Sequence, residues 1–545
     1  MKTILILMIL LISSIKSSSQ VSQEWVTRYN GSANSEDNAS SIAYDTSGNV
    51  FVTGSSKGSG TDYDFVTIKY NPSGIQEWIV TYNGPGNSDD YGYAIALDNS
   101  GNVYVTGSSF GIGSNLDYAT IKYNSEGVMQ WVARYDGIHN SEDYSYLLSI
   151  DNAGNVYVSG HEGIIDSSEF CTIKYNTNGE MQWVSRYNGP GNFYNHTTSL
   201  VLDDLGNAYV TGSTTGIGTG FYDYVTIKYN SVSGNQEWVS SYNGPGPGNN
   251  FDEAFSSTID ESGNIYVTGS SSDNINQGSC ATIKYNSNGV QQWAVRYRGT
   301  NNSNALGSAI TSDAAGNVYV AGYILNDVTG YDYLTIKYNS SGDEIWAVNY
   351  NGTANNSDFA EYIVVDNYNN VYVSGSSAET GFDYLTIKYD SSGNELWTER
   401  YNGSGNGSDR PSSFKIDDHG NLYLTGYSLG SGSSSDYDFA TIKYSQSVGI
   451  NQISTIIPDQ FSISQNYPNP FNPTTKIKFE LKNSGNVKLV VYDMIGKEVA
   501  TLVDENLNAG SYETEFDRSG LTSGVYFYKI ETNNYSEVKK MTLIK

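Results

Sequence analysis

The sequence predicts an all-β chain, an eight-bladed β-propeller followed by a small β-sandwich, and three recurring marks predict it. Trp occurs eight times, at positions 25, 78, 131, 183, 238, 293, 346 and 397, so its spacing stays between 51 and 55 residues. A Thr-Ile-Lys-Tyr tetrad recurs in step with it, with its lysines at Lys69, Lys122, Lys174, Lys228, Lys284, Lys337, Lys388 and Lys443. The third mark, Asp-x-x-Gly-Asn-Val-Tyr-Val-Thr-Gly in Asp98 to Gly107, also has eight copies. Period-two alternation and the lack of apolar 3.6-residue spacing exclude helical repeats.

The chain opens on Lys2, an apolar run from Ile4 to Ile12 and a Ser-rich stretch to Ser19. A basic start, a short apolar core and small residues at the exit form a secretory signal peptide, here residues 1–19. That run is too short for a membrane span, which needs about 20 apolar residues, and no later run reaches that length. The expectation is an exported chain with no transmembrane segment.

Four strands are expected in each period: Glu77 to Tyr82, Ala94 to Leu97, Asn102 to Gly107 and Tyr118 to Tyr123, separated by Gly, Asn, Asp and Ser turns. The hairpin glycine of the third mark (Gly48, Gly101, Gly154, Gly206, Gly263, Gly316, Gly420) is broken once, by Asn369. Asn follows Gly in tolerance of positive φ, so the slot reads as a left-handed turn position. Its Asp-x-x-Gly-Asn loop lacks the ligand spacing of a calcium hand and reads as turn chemistry. The array opens on a lone Trp strand, Glu24 to Tyr29, and ends at Tyr444 without one. If the first strand completes the last blade, the ring of residues 20–444 closes on itself.

These marks resemble the bacterial β-propeller repeat family often labelled SBBP, whose pattern includes Asp-x-x-Gly-Asn-x-Tyr-x-Thr-Gly and a later Lys-Tyr then Trp. The resemblance implies the fold and no common activity.

Composition shifts after Ser445, with residues 445–456 read as a linker and 457–545 as a separate domain. Four of the ten prolines lie in its entry, which precludes a central strand there. Strands are expected over Lys476 to Leu481, Val487 to Tyr492, Glu498 to Leu502, Ser511 to Phe516, Gly524 to Ile530 and Lys539 to Lys545, about seven in an Ig-like sandwich. The segment resembles the type A C-terminal sorting domain of the type IX secretion system. The residues that carry the likeness are Asn466-Tyr467-Pro468-Asn469-Pro470-Phe471, Val491-Tyr-Asp493 with Gly496, the Gly524-Val-Tyr526 run, and the end from Lys540 to Lys545. The resemblance implies Sec export, passage across an outer membrane by the type IX machinery, and a secreted or surface-attached product.

Charge narrows the partners. Of the 545 residues only 29 are Lys or Arg against 58 Asp or Glu, giving a net charge of −29. Residues 1–19 contribute +2 and 457–545 contribute 10 − 11 = −1, so the propeller carries 17 − 47 = −30. Nucleic acid is excluded as a partner, because phosphate binding needs clustered basic groups. Two cysteines, Cys171 and Cys280, exclude a disulfide framework and read as apolar filler. His139, His161, His196 and His419 fall in four different blades, none with a second His at metal-ligand spacing.

One repeated slot invites a binding role. Eight residues before each hairpin Asp stand Asp37, Asp90, Asp143, Asn195, Asp252, Ala305, Asp358 and Asp409. Six carboxylates at the entry of the innermost strands would ring one mouth of the channel and hold Ca²⁺ or a cationic ligand. The same pattern arises if each Asp caps its own turn. The tetrad lysines are expected to pair with the acids that precede the aromatic residue of the same strand (Asp64, Asp117, Glu169, Asp223, Asp332, Asp383, Asp438). Of the 47 tyrosines, 23 occupy repeated structural slots, which leaves loop residues such as Tyr194 and Tyr222 eligible for ligands. No catalytic set is apparent, so the expected function is a non-catalytic surface or secreted binding or adhesion protein, with a glycan or a surface protein as partner. The alternative is an extracellular polysaccharide-active hydrolase or lyase using acids at the mouth.

Overall fold

The computed structural model describes residues 21–544 except 59–61, 165–166, 192, 217–220, 246–250, 275–276, 300–301, 368, 419, 431–435, 447–450, 455, 473 and 518–520. The expected signal peptide, His419 and Lys545 lie outside the described residues. No helix occurs among those described.

The repeat region forms eight four-stranded antiparallel sheets. In one of them the strands run Asp90–Leu97, Val103–Phe110, Leu116–Tyr123 and Met129–Tyr135, from inside to outside. The sheet begun by Asp409–Ile416 takes Val21–Tyr29 as its outermost strand. The inner strands neighbour one another in chain order, and that of the last sheet neighbours that of the first. At this seam the Tyr44 hydroxyl donates to the Ile416 carbonyl at 2.6 Å, and the Tyr44 and Tyr423 rings stack at 5.2 Å.

Each sheet is apolar on both faces because each face meets another sheet. Val103, Val105, Ala119 and Ile121 are fully buried and share a core with Phe51 and Phe65 of the preceding sheet. Burial of each such Val or Ile contributes about 1.5–3 kcal/mol.

The recurring Trp joins one sheet to the next. The Trp78 indole N–H donates to the Ser125 carbonyl of the following hairpin at 3.1 Å, and Trp131 does the same to Thr177. Trp25 repeats the bond to Pro72 at 3.0 Å and so ties the last sheet to the first. The ring lies on a glycine at positive φ: a Cβ on Gly127 (φ 79) would stand 2.9 Å from Trp78. Asn369 holds its turn at φ 61, the left-handed position expected for that slot.

Every inner strand carries a bulge at its fourth residue. Register skips from Gly92 to Ala94 and from Ser145 to Leu147, leaving Tyr93 and Tyr146 unpaired in the ladder. A bulge re-aims the side chain of the extra residue.

The C-terminal unit holds two four-stranded sheets. One orders Asn451–Ser454, Gly510–Asp517, Thr474–Leu481 and Ser462–Ile463; the other orders Glu498–Leu507, Gly485–Tyr492, Gly524–Thr532 and Tyr535–Leu543. Ile477, Leu489, Tyr528 and Met541 are among its fully buried core. Part of the expected linker belongs here: Asn451 to Ser454 pairs with Ser511 to Glu513. A four-residue edge strand is too short to show alternation against the polar stretch around it.

Gly127→Ala should lower the melting temperature by more than Gly113→Ala. Both glycines sit near φ +80, but a Cβ at Gly113 has nothing within 4 Å. The left-handed backbone costs about 1–2 kcal/mol in either variant, and displacement of Trp78 adds about 1–3 kcal/mol only at Gly127. Equal thermal shifts would show that the Trp–Gly contact does not constrain the fold.

Candidate functional site

The candidate site lies at the end of the ring where the outer-to-inner loops enter the inner strands. The chain reaches this end through Tyr-Asn-Gly turns, and the six repeated acids follow them. Asp37, Asp90, Asp143, Asp252, Asp358 and Asp409 are all fully buried. The Gly84 N–H donates to Asp90 Oδ2 at 2.6 Å, and the Phe110 N–H donates to Oδ1 at 3.0 Å. Gly137 and Gly163 hold Asp143, and Gly403 and Leu429 hold Asp409, in the same way. Gly31, Gly244 and Gly352 donate to Asp37, Asp252 and Asp358. Of the two readings of this slot, an open ring of carboxylates or acids that cap their own turns, the burial and the main-chain bonds match the second. Each acid ties its own loop to its own sheet by accepting from a main-chain N–H six to eight residues upstream.

Ala305, one of the two exceptions in the series, fits the same role. Across the strand pair Asp90 faces Ser109, and Asp409 faces Ser428, whereas Ala305 faces Ile324. Both polar partners are replaced together by apolar ones that are buried, leaving neither side chain unsatisfied.

The pattern continues outward to an arginine that the sequence reading passed over. Arg134 lies 2.8 Å from Asp117 and donates to the Ser109 carbonyl. Arg28 with Asp438, Arg186 with Glu162 and Arg400 with Asp383 repeat the pairing at 2.8, 2.7 and 3.0 Å. Each arginine stands three residues after a Trp, a spacing visible in the sequence. Four of the seven acids assigned to the tetrad lysines, Asp117, Glu169, Asp383 and Asp438, therefore lie against arginine, and Asp332 accepts from Asn326 and Thr329 instead. Each lysine instead lies over the ring opposite it on the neighbouring strand, as Lys122 does over Tyr104 at 5.0 Å and Lys337 over Tyr319 at 5.0 Å. Its ammonium also reaches the next hairpin, Lys174 donating to the Ser231 carbonyl at 2.8 Å. The hairpin Asp is consumed locally too: Asp98 accepts from the Ser100 and Asn102 N–H groups and from the Tyr104 hydroxyl.

With the repeated charges engaged inside the sheets, the side chains at this mouth vary between repeats, and they include three aromatic groups. One arc runs Tyr63, Tyr91, Tyr93, Tyr146, Tyr144 and His161, with successive ring centroids 4.9 to 6.2 Å apart. A second runs Tyr323, Tyr331, Phe359 and Phe382, and Arg410 lies over Phe382 at 3.9 Å. His196, Tyr222 and Phe251 form a third. Tyr222 thus stays eligible for ligand contact, and Tyr194 is exposed nearby in sequence. Glu361, the bulge residue of its strand, is pushed up to about 7 by burial, against the lowering effect of Arg410.

Asp117, Asp136 and Asp143 bring one oxygen each within 4.8 Å of one another. The Arg134 guanidinium already lies against Asp117, so positive charge is supplied from within. Cys171 and Cys280 are free and fully buried.

In the C-terminal unit the sorting-type residues build the entry. Asn466 is buried and donates to the Pro468 carbonyl and to Thr475 Oγ1, while its own N–H is received by the Tyr528 hydroxyl. Phe471 is buried against Phe516 and exchanges main-chain bonds with Thr542 and Ile544, and the Asn469 side chain accepts from the Thr542 N–H. Gly524 opens the strand that carries Tyr526, whose hydroxyl donates to the Thr522 carbonyl. Tyr467 and Lys540 are exposed.

Two outcomes test the assignment of the buried acids. Asp90→Ala, which strips acceptors from two buried N–H groups, should cost about 1–3 kcal/mol for each group left unpaired. Adding Ser109→Ile, which copies the Ala305–Ile324 pair, should recover part of the loss in melting temperature; no recovery would oppose the paired-substitution reading. Burial, with Glu162 adding to it, pushes the Asp143 carboxyl up to about 7 from an ordinary 3.8. A raised carboxyl stabilises the fold in its protonated form, so its contribution is full below about pH 4 and is lost as pH rises to about 7. The melting-temperature difference between the wild type and Asp143→Asn should therefore move against the wild type across that window, and a flat difference would contradict the shift.

Known proteins bear on both parts. Residues 465–545 match the model of the secretion system C-terminal sorting domain, and residues 24–60 and 77–113 match the β-propeller repeat model. An uncharacterised WD repeat-containing protein of Acanthamoeba polyphaga mimivirus is 23% identical over 432 residues; the match takes in 62% of this chain but only 29% of that protein. Among solved structures, PorZ, a surface component of the type IX secretion system of Porphyromonas gingivalis, is 16% identical with a TM-score of 0.38, covering 92% of this chain and 65% of PorZ. The WD40 domain of SCAP from fission yeast is 9% identical with a TM-score of 0.40, over 78% of this chain and 97% of that one. Among the described residues no helix is long and apolar enough to cross a membrane. The chain carries β-propeller repeats and a type IX secretion system C-terminal sorting domain, which mark it for export to the cell surface or beyond.

Proposed function

We propose that this chain is an exported, non-catalytic binding protein of the cell surface or the medium, delivered by its sorting domain and holding its ligand at the aromatic mouth of the propeller. The observation that carries the reading is the contrast between fixed and varied positions. Asp, Arg, Lys and Trp slots repeat and are engaged inside or between sheets, whereas the rings at the mouth differ from repeat to repeat and stay partly exposed. A rigid ring presenting varied side chains on one face is how binding residues are ordinarily held on a scaffold. A glycoside hydrolase would need two accessible carboxyl groups roughly 5 to 9.5 Å apart, and the repeated acids are buried in their loops.

The mature chain should bind a glycan or surface-protein ligand without altering it. Binding should raise the melting temperature by about RT ln(1 + [L]/Kd), and the Tyr144→Ala variant should lose the rise while keeping its unliganded melting temperature. Robust product formation from a polysaccharide panel, abolished by one point substitution, would overturn the non-catalytic reading.

A further inference from the structure

The ligand's chemistry can be read from a contact the protein makes with itself. The residue just before the third-strand acid in one sheet meets the second residue of the inner strand in the next: Tyr63 meets Tyr91, Tyr331 meets Phe359, and Phe382 meets Arg410. In the last of these pairs the guanidinium lies over the ring at 3.9 Å, so this slot at the mouth already holds a cation. Lys57 lies over Tyr63 at 5.6 Å, at one end of the first arc. Beyond it, no basic side chain among those described lies over Tyr91, Tyr93, Tyr144 or Tyr146. These four rings are partly exposed. Tyr91 and Tyr93 lie nearly parallel at 17°, as do Tyr144 and Tyr146 at 3°, and Tyr93 joins the two pairs at 4.9 Å from Tyr146.

The surroundings have one sign. Glu142 accepts from the Tyr144 hydroxyl at 2.8 Å, Glu36 accepts from the Tyr63 hydroxyl at 2.9 Å, and Asp89 accepts from the Tyr63 N–H at 3.0 Å. His161 closes the arc at 5.1 Å from Tyr144, and burial lowers its imidazole to about 4, so it stays uncharged at neutral pH and offers a ring without a repelling charge. Ring faces attract cations through their quadrupole, and a group of acids of one sign raises the local concentration of cations before contact.

We propose that the arc of Tyr91, Tyr93, Tyr144, Tyr146 and His161 binds an alkylammonium or guanidinium group of the ligand, laid over the tyrosine faces as Arg410 lies over Phe382. This rests on the reading of the mouth as the binding surface and adds the ligand's charge. The group can come from an Arg- or Lys-bearing peptide or from a free polyamine.

The test uses the mature full-length chain and calorimetric titration with an Arg-rich peptide, its Lys-rich counterpart, spermidine, the same peptide with citrulline for arginine, and neutral oligosaccharides. Binding of the Arg and Lys peptides, weakened about tenfold or more by citrulline, by Tyr144→Leu and by Tyr91→Leu, supports the proposal, provided circular dichroism and melting temperature are unchanged. Spermidine binding with the same variant losses assigns the site to free polyamines, and its absence assigns it to peptides. Equal affinity for the citrulline peptide, or binding of the neutral oligosaccharides alone, overturns the cation inference and leaves the mouth as the binding surface. Binding of the cations that Tyr144→Leu and Tyr91→Leu leave untouched overturns the proposal and removes the mouth from the functional reading as well.

Discussion

The ring depends on the contact between a Trp of one sheet and a Gly of the next. Neither sheet could keep its apolar faces from water alone, and the indole N–H bond to a hairpin carbonyl fixes how far each sheet turns relative to its neighbour. Among the described residues seven such bonds are present, from Trp25, Trp78, Trp131, Trp183, Trp238, Trp293 and Trp346. The glycine is required twice over, by positive φ and by the ring against its α-carbon. The Trp25 bond carries the relation across the chain's own break, so the first strand is held from its edge by the ladder and from its face by the first sheet.

Charge is organised in the same two directions. Within a sheet, an acid on the inner strand, a hydroxyl beside it, an acid on the third strand and an arginine on the fourth form a line, as in Asp90, Ser109, Asp117 and Arg134. Between sheets, a lysine over a tyrosine ring reaches the next hairpin. The buried members of such a line are stable only as a set, since removal of one leaves another without its partner. That explains why Ala305 and Ile324 change together, and why Ser279, standing where other sheets have an acid, accepts from Arg298.

The mouth follows from what these lines leave over. Each inner strand has a buried residue first, an acid in six of the eight, and a bulge fourth, and residues two and four stay partly exposed whatever they are. In the second and third sheets both are tyrosine; in the last they are Arg410 and Ser412. The net charge of −30 in the propeller therefore has two fates: buried acids balanced locally, and surface acids such as Glu36, Glu142 and Asp89 that border the rings.

Sequence alone determined the all-β class, the repeat unit, its turns and the sorting domain, because period-two alternation, turn glycines and the Asn466–Phe471 entry act over a few residues. Sequence also marked the position of every repeated acid but left its role open. Only the tertiary structure decided that Asp37, Asp90, Asp143, Asp252, Asp358 and Asp409 face their own loops, because burial depends on the neighbouring sheet and not on the residue's place in the repeat. Tyr93 and Tyr146 stand 53 residues apart and look like ordinary strand tyrosines in sequence. Their convergence needed both a bulge, which breaks the alternation, and a ring, which brings distant strands side by side.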